Sequence, residues 1–342
     1  MPSRLPLGRL TLALTLVAAS AAGTAAHAQQ ASRAQQLDPQ CASGSMPLQD
    51  GCQKAIDIFN FMAPQLGVSI AGGGATLGQG AVLGGPLKFS FGVRANALQG
   101  ALPDIDKVTP ATDQAHASDY PVKQQLLGFP VADATVGILP AISIGLLKFG
   151  GADAMVSAAY LPPLTQDRFT IETPNGALKM GYGGRIGILS EGLMFPGVSV
   201  TYLQRDLPLT NITGTTVDDT ITLQGLSVKT TAWRLTATKH LLLLGLTAGY
   251  GQDTYKSTAD LSVKIHDLTA CPTGCYGTPF AFSQSLTRTN VYADLSVNLA
   301  LVKFVGEIGM VSGGSVPTYN TFSTESADKA RAYGSVGVRI GY

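Results

Sequence analysis

The sequence predicts an all-β fold, a transmembrane antiparallel up-and-down β-barrel of about twelve strands, with about fourteen as the alternative. Three observations carry that prediction. Charged residues are only 13% of the chain, against about 25% in an ordinary soluble domain. Many segments alternate apolar and polar residues at period two, the pattern of strands with two different faces. Short turns and long polar loops alternate between those segments, as they do when a barrel has one trimmed and one elaborated end.

The N-terminus carries Arg4 and Arg9, an apolar run from Leu10 to Ala19, and Ala26-His27-Ala28. A basic start, a short apolar core and an Ala-x-Ala end read as a secretory signal peptide over residues 1–28. A flexible Gln/Ala-rich leader is expected over 29–40. Residues 41–76 differ from the rest and are expected to form a plug or hatch. Ala55, Ile56, Ile58, Phe59 and Met62 suit a short helix, and Gly72-Gly73-Gly74 follows within a glycine-heavy stretch. Such a stretch has little backbone preference and fits a lumen or a first, bent strand.

The barrel is expected over 77–342. Leu87, Phe89, Phe91 and Val93 lie opposite Lys88, Ser90 and Arg94; Val291, Ala293, Leu295 and Val297 lie opposite Asn290, Tyr292, Asp294 and Ser296. Similar segments begin at Leu178, Val198 and Leu244. Short turns are expected at Gly84-Gly85, Phe149–Ala152, Glu191–Pro196, His240–Leu243 and Leu299–Lys303. Longer loops are expected at 99–128, 162–175, 206–219, 263–280 and 315–329. About eleven strands stand out, so a hidden one is sought near Phe59–Thr76 or within Ala132–Phe149, which Pro140 could split. Counting back from the end puts the short turns in the periplasm. The localisation expected is the outer membrane, reached by export through the periplasm.

Cys41 and Cys52, and Cys271 and Cys275, are spaced as two local disulfides of an exported protein. Neither pair has the neighbouring His ligands of a metal site, and no metal or cofactor is expected. The near-neutral charge of +1 gives no reason to invoke nucleic acid. The expected partners are outer-membrane lipid, the barrel assembly machinery and a hydrophobic small-molecule solute.

Inward-facing parity assigns Lys88, Arg94, Lys179, Arg185, Arg234, Arg288 and Arg339, with Asp294 and Glu307, to the lumen. An excess of positive charge there would concentrate anions such as carboxylates. The same charges could instead hold the wall together, or pin a plug through Asp50 and Asp57. No catalytic residues are expected. His116-Ala117-Ser118-Asp119 loosely resembles the His-x-Ser-Asn motif of outer-membrane phospholipase A, with Asp in place of Asn and without strand alternation around it. An outer-membrane lipid hydrolase is accordingly the least favoured function.

Ser335, Gly337, Ile340 and Tyr342 match the polar-x-Gly-x-x-apolar-x-aromatic ending by which bacterial outer-membrane barrels are recognised for assembly. The layout as a whole resembles the FadL-like barrels: a signal peptide, a helix-plus-glycine segment, then a barrel closing on an aromatic residue. The resemblance implies uptake of hydrophobic or amphipathic anionic solutes such as fatty acids past an N-terminal hatch, and carries no individual ligand residues. The expected function is therefore a channel or transporter, with a surface-interaction barrel acting through external loops as the alternative.

Overall fold

The computed structural model describes residues 36–166, 169–215, 219–267, 271–299 and 301–341. The expected signal peptide, most of the leader and Tyr342 lie outside them. One antiparallel sheet contains fourteen strands. Ten close into a ring: β1 (Phe89–Pro103), β2 (Val122–Ile144), β3 (Leu147–Tyr160), β6 (Leu178–Leu189), β7 (Gly197–Asp206), β9 (Thr220–Leu241), β10 (Leu244–Asp267), β12 (Phe280–Leu299), β13 (Val302–Ser312) and β14 (Arg331–Gly341). The other four, β4 (Leu164–Gln166), β5 (Phe169–Glu172), β8 (Thr210–Thr215) and β11 (Cys271–Tyr276), lie within three of the long connections and extend the sheet beyond the ring. The expected twelve falls between the ten of the wall and the fourteen of the sheet.

The first and last strands close the barrel, with Ser90 opposite Gly341 and Leu98 opposite Tyr333. Alternation then sorts every strand into two faces. On β14, Val336, Val338 and Ile340 point outward and are 66%, 40% and 49% exposed, while Ser335 and Arg339 are buried inside. Phe89, Phe91 and Val93 on β1, Tyr182 and Ile186 on β6, Leu295 on β12 and Ile308 on β13 continue the outward apolar band. An exposed band of this extent would drive aggregation in water and is what a lipid-facing wall requires. Tyr182, Tyr202, Trp233 and Tyr250 form part of an aromatic girdle, with Trp233 packed edge-on against Tyr250 at 5.9 Å. Among the described residues no helix is long and apolar enough to cross a membrane; the crossing is made by strands.

Two expectations about connections are corrected. Phe149–Ala152 is not a turn: it lies inside β3, and the chain reverses at Gly145-Leu146. Gly150 and Gly151 adopt positive φ of 78° and 91° inside the strand, Gly150 pairing with Ala141, just beyond the β2–β3 register shift between Gly137 and Leu139. Pro140 cannot donate to the ladder, yet Leu139 and Ala141 on either side of it pair in one register, so the strand continues. The hidden strand sought near Phe59–Thr76 is largely helix, and Pro140 does not split β2.

Two helices precede the wall, α1 (Pro39–Ala42) and α2 (Met46–Ala71), bridged by the Cys41–Cys52 disulfide. α2 has 26 residues, about 39 Å at 1.5 Å per residue, so it is longer than the short helix expected. From Asp50 to Ala71 all but Cys52 are buried. A cluster containing Phe59, Leu66 and Ile70 packs on Leu223, Leu261 and Ile265 of β9 and β10. Gly67 allows the close approach: a Cβ there would stand 2.6 Å from the Tyr255 ring.

Pro64 stands inside α2 and removes the hydrogen bond that the Asn60 carbonyl would receive. Gln284 of β12 replaces it, donating from Nε2 to that carbonyl at 3.3 Å and to the Asn60 amide oxygen at 2.8 Å. Gln65 serves β1 in the same way. It accepts from the Ala101 N–H at 2.8 Å and donates to the Ala101 carbonyl at 3.0 Å, beyond the point where β14 stops pairing. Helix and wall thus complete each other's backbone bonding.

Candidate functional site

Each of the ten ring strands brings a buried charged side chain into the lumen. The cations are Arg94 (β1), Arg185 (β6), Arg205 (β7), Arg234 (β9) and Arg339 (β14), and the acids are Asp133 (β2), Asp153 (β3), Asp253 (β10), Asp294 (β12) and Glu307 (β13). Period-two alternation puts them inside, because a one-residue slip would turn them to the lipid face. Asp133 pairs with both Arg94 and Arg205 at 3.0 Å, Asp153 with Arg185 at 2.8 Å, and Asp253 with Arg234 at 2.5 Å. The belt is balanced in sign, so the net positive lumen expected from the sequence does not arise at this level.

The chain from Ala71 to Leu83 runs across this belt with no helix or strand after Ala71. Its backbone groups find partners on the wall instead. Arg234 donates to the carbonyls of Ala71 and Gly73 at 3.1 and 3.2 Å. Arg94 donates to Gly74 O, Arg205 to Ala75 O and Arg339 to Leu77 O, each at 2.8 Å. Arg185 donates to Gln79 O at 2.6 Å. The acids and a hydroxyl take the N–H groups: Glu307 accepts from Gly74 at 2.6 Å, Asp294 from Gly78 at 3.0 Å, Thr238 from Gly80 at 2.9 Å and Asp153 from Leu83 at 3.1 Å. Charge-assisted bonds of this kind are stronger than neutral ones. Glycine is required at least at Gly73, whose φ is +82° and where a Cβ would overlap the Glu307 carboxylate. Arg234 at the C-terminal end of α2 also meets the negative end of the helix dipole.

The passage is narrow here. A cavity between Thr76, Leu77, Arg94, Asp133 and Arg339 measures about 10 Å³, room for about one water. Toward the long-loop end the interior is filled by α2 and apolar side chains. Two long connections are tied to that helix. Asp50 accepts from the Ala111 and His116 N–H groups at 2.6 and 3.0 Å and pairs with Lys54. Asp57 accepts from the N–H and side-chain amide of Asn320, both at 2.7 Å. Burial pushes the Asp57 carboxyl up to about 6, against the pull of those hydrogen bonds. Toward the short-turn end lies an open cavity of about 480 Å³, bordered by Gln79, by Ala81, Val82, Leu83 and Gly84, and by Lys88, Lys148, Glu191, His240, Lys303 and Arg339.

Of the residues assigned to the lumen from sequence, Arg94, Arg185, Arg234, Arg339, Asp294 and Glu307 meet in the belt. Arg288 is buried nearer the long loops, donating to the carbonyls of Asp328 and Lys329 at 2.9 and 2.7 Å. Lys88 borders the short-turn cavity. Lys179 shares the inward parity of Arg185 but is exposed near the other end of β6. Sequence reasoning missed Asp133, Asp153, Arg205 and Asp253 as site residues; their parity with Thr135, Ser157, Leu203 and Tyr255 was the signal that could have found them. Ser335 donates to Asn96 at 2.8 Å and to Glu307 at 3.2 Å, Gly337 abuts the Val93 carbonyl, and Ile340 faces outward. Tyr342, the remaining member of that ending, lies outside the described residues.

Cys41 and Cys52 are bonded to each other, and Cys275 is disulfide-bonded; the Cys271 side chain is outside the described ones. Ser118 Oγ donates to the His116 carbonyl at 3.5 Å rather than to its ring, and His116 Nε2 lies 3.2 Å from Asp113. Among the described residues no group of His, Cys, Asp and Glu could hold a metal ion.

No family model matches the chain, and no curated protein matches it. Among solved structures it is similar to a loop-deletion form of OmpT, an outer membrane protein of Vibrio cholerae, at 10% identity over 74% of this chain and 98% of that one, with a TM-score of 0.20. It is similar to the outer membrane channel DcaP of Acinetobacter baumannii at 9% identity over 75% and 96%, TM-score 0.19. It is also similar to the outer membrane protein opdK of Pseudomonas aeruginosa at 6% identity over 75% and 99%, TM-score 0.16. Likeness this slight carries no argument, and the functional reading rests on the chain's own geometry.

Proposed function

We propose that this chain is an outer-membrane barrel channel or transporter whose passage is closed by its own N-terminal hatch, residues 41–76 together with the segment to Leu83. The observation that carries the reading is the threading of residues 71–83 across a belt formed by all ten ring strands. A structural wall needs ion pairs but has no need of an irregular backbone bonded to them. Helices and strands satisfy their own backbone, whereas this segment depends on partners that can be exchanged for water or solute. The solute class proposed is an amphipathic anion, fatty acids included. Apolar side chains fill the long-loop half, and lysines border the short-turn mouth. Lipid around the wall and the barrel assembly machinery at β14 remain the other partners of the proposal. Catalysis has no part in it.

Conductance across a planar bilayer tests the hatch. Deleting residues 41–76 should convert a closed or rarely open barrel into a steadily conducting one. Locking Gly80→Cys to Thr238→Cys should hold the intact barrel shut until reductant is added. Unchanged conductance on deletion would sink the reading.

A second reading has its own observation. β4, β5 and β8 extend the sheet from β9, and β11 adds to β10, building a platform beyond the ring on the long-loop side. That platform suits contact with another surface. If trimming these loops abolished cell-surface binding and left solute flux unchanged, interaction would become the leading function.

A further inference from the structure

We propose that the 480 Å³ cavity at the short-turn mouth is a docking site for a carboxylate or phosphate headgroup, and that its occupation unlatches the glycine segment through Arg339. The second half of this proposal rests on the hatch reading; the first does not.

The cavity combines four features. Lys88 from just before β1, Lys148 from β3, Lys303 from β13 and Arg339 from β14 border it. Their convergence on one space is therefore a product of barrel closure, since β1 meets β14 and β14 meets β13. Glu191 also borders it, but its two oxygens are already committed to His240, accepting from the backbone N–H at 2.5 Å and lying 2.6 Å from ring Nδ1. Donating Nδ1–H to Glu191 leaves His240 Nε2, a buried atom with no hydrogen-bond partner among the described residues; protonated, it presents a further donor to an anion. Among the described residues that border the recess, four cations outnumber one acid, and the excess focuses a positive potential between low-dielectric walls.

Arg339 links this recess to the belt. It borders both the large cavity and the 10 Å³ space above it, and it holds Leu77 O at 2.8 Å and Gly78 O at 3.4 Å. Both acceptors are neutral carbonyls, and the second bond is long. A carboxylate or phosphate offers a charged, bidentate acceptor that outcompetes them for a guanidinium. Turning Arg339 toward such an anion frees two carbonyls between the Gly74 and Gly80 attachments, where the segment has no regular structure to fall back on.

The test uses the full chain in nanodiscs of zwitterionic phosphatidylcholine, titrated calorimetrically with octanoate, inorganic phosphate and uncharged octanol. Octanoate is expected to bind, phosphate to compete with it and octanol not to. Lys88→Gln with Lys303→Gln should weaken octanoate at least tenfold. Lys148→Glu, at an exposed side chain that folding does not need, should weaken it as well. Equal affinity in these variants, or equal binding of octanol, overturns the site. Loss of octanoate binding in phosphatidylglycerol discs assigns the site to a lipid headgroup; retained binding assigns it to a free solute. Octanoate on the short-turn side should raise the open fraction of single channels, and Arg339→Gln should raise it without octanoate and remove the response. Binding without any change in opening overturns the coupling and leaves the anion site. An unchanged conductance on deletion of residues 41–76 instead overturns the hatch.

Discussion

The two halves of the N-terminal segment are held by different physics. α2 is a helix, so most of its backbone bonds are internal and the barrel meets it mainly through apolar contact, Phe59 edge-on to Phe282 of β12 at 5.4 Å and Phe61 stacked on Phe322 of the β13–β14 connection at 4.1 Å. Residues 72–83 carry few large apolar side chains, Leu77, Val82 and Leu83, and are held through backbone groups by arginines and carboxylates. Apolar burial is non-directional, while the hydrogen bonds to arginine and carboxylate depend on distance and angle and can be taken over by water or solute. The difference teaches where opening should begin: at the glycine segment, with the helix following or staying.

The largest effect expected is from Asp133→Asn, which removes the carboxylate shared by Arg94 and Arg205. Leaving buried cations unpaired costs about 3–5 kcal/mol, and single-channel recordings should show frequent openings. Phe59→Ala is expected to cost about as much, 3–5 kcal/mol of packing, but to appear as faster hydrogen exchange in α2 with opening little changed. Equal effects of the two variants on opening would erase the distinction between the halves.

Replacing Cys41 and Cys52 with serine removes a bridge spanning 11 residues, worth about 2–3 kcal/mol. The loss should be confined to the start of α2, read as proteolysis near Met46, with the belt unaffected. The smallest effect is one of pH. Burial in the docked helix makes Asp57 hold its proton more tightly, with its carboxyl at about 6 despite the hydrogen bonds from Asn320. The docked state is therefore favoured fully below about pH 4 and loses that advantage as pH rises through 6, by at most about tenfold per pH unit. Opening should be rarer at pH 4.5 than at pH 7.5, and Asp57→Asn should flatten the dependence.

Much of the wall was legible because period-two alternation needs no knowledge of neighbours. Phe89, Phe91 and Val93 against Ser90 and Arg94 specify two faces from one strand alone. The ends of elements were harder. The glycine pair Gly150-Gly151 has the composition of a turn, yet pairing with β2 on either side of Pro140 keeps it in a strand. The length of α2 was hidden by Gly51, Pro64 and Gly67, which argue against a helix locally. Gln284, Tyr255 and the inner wall supply what those residues lack.

By itself the sequence determined which side chains face lipid and which face inward, because that depends only on spacing along each strand. It also determined that a glycine-rich stretch precedes the wall. Only the tertiary structure decided that ten strands close the ring, that one charge from each meets in a sign-balanced belt, and that the glycine segment's backbone is bonded to that belt. Closure sets which inward residues become neighbours, and the sequence holds no local record of distances across a lumen.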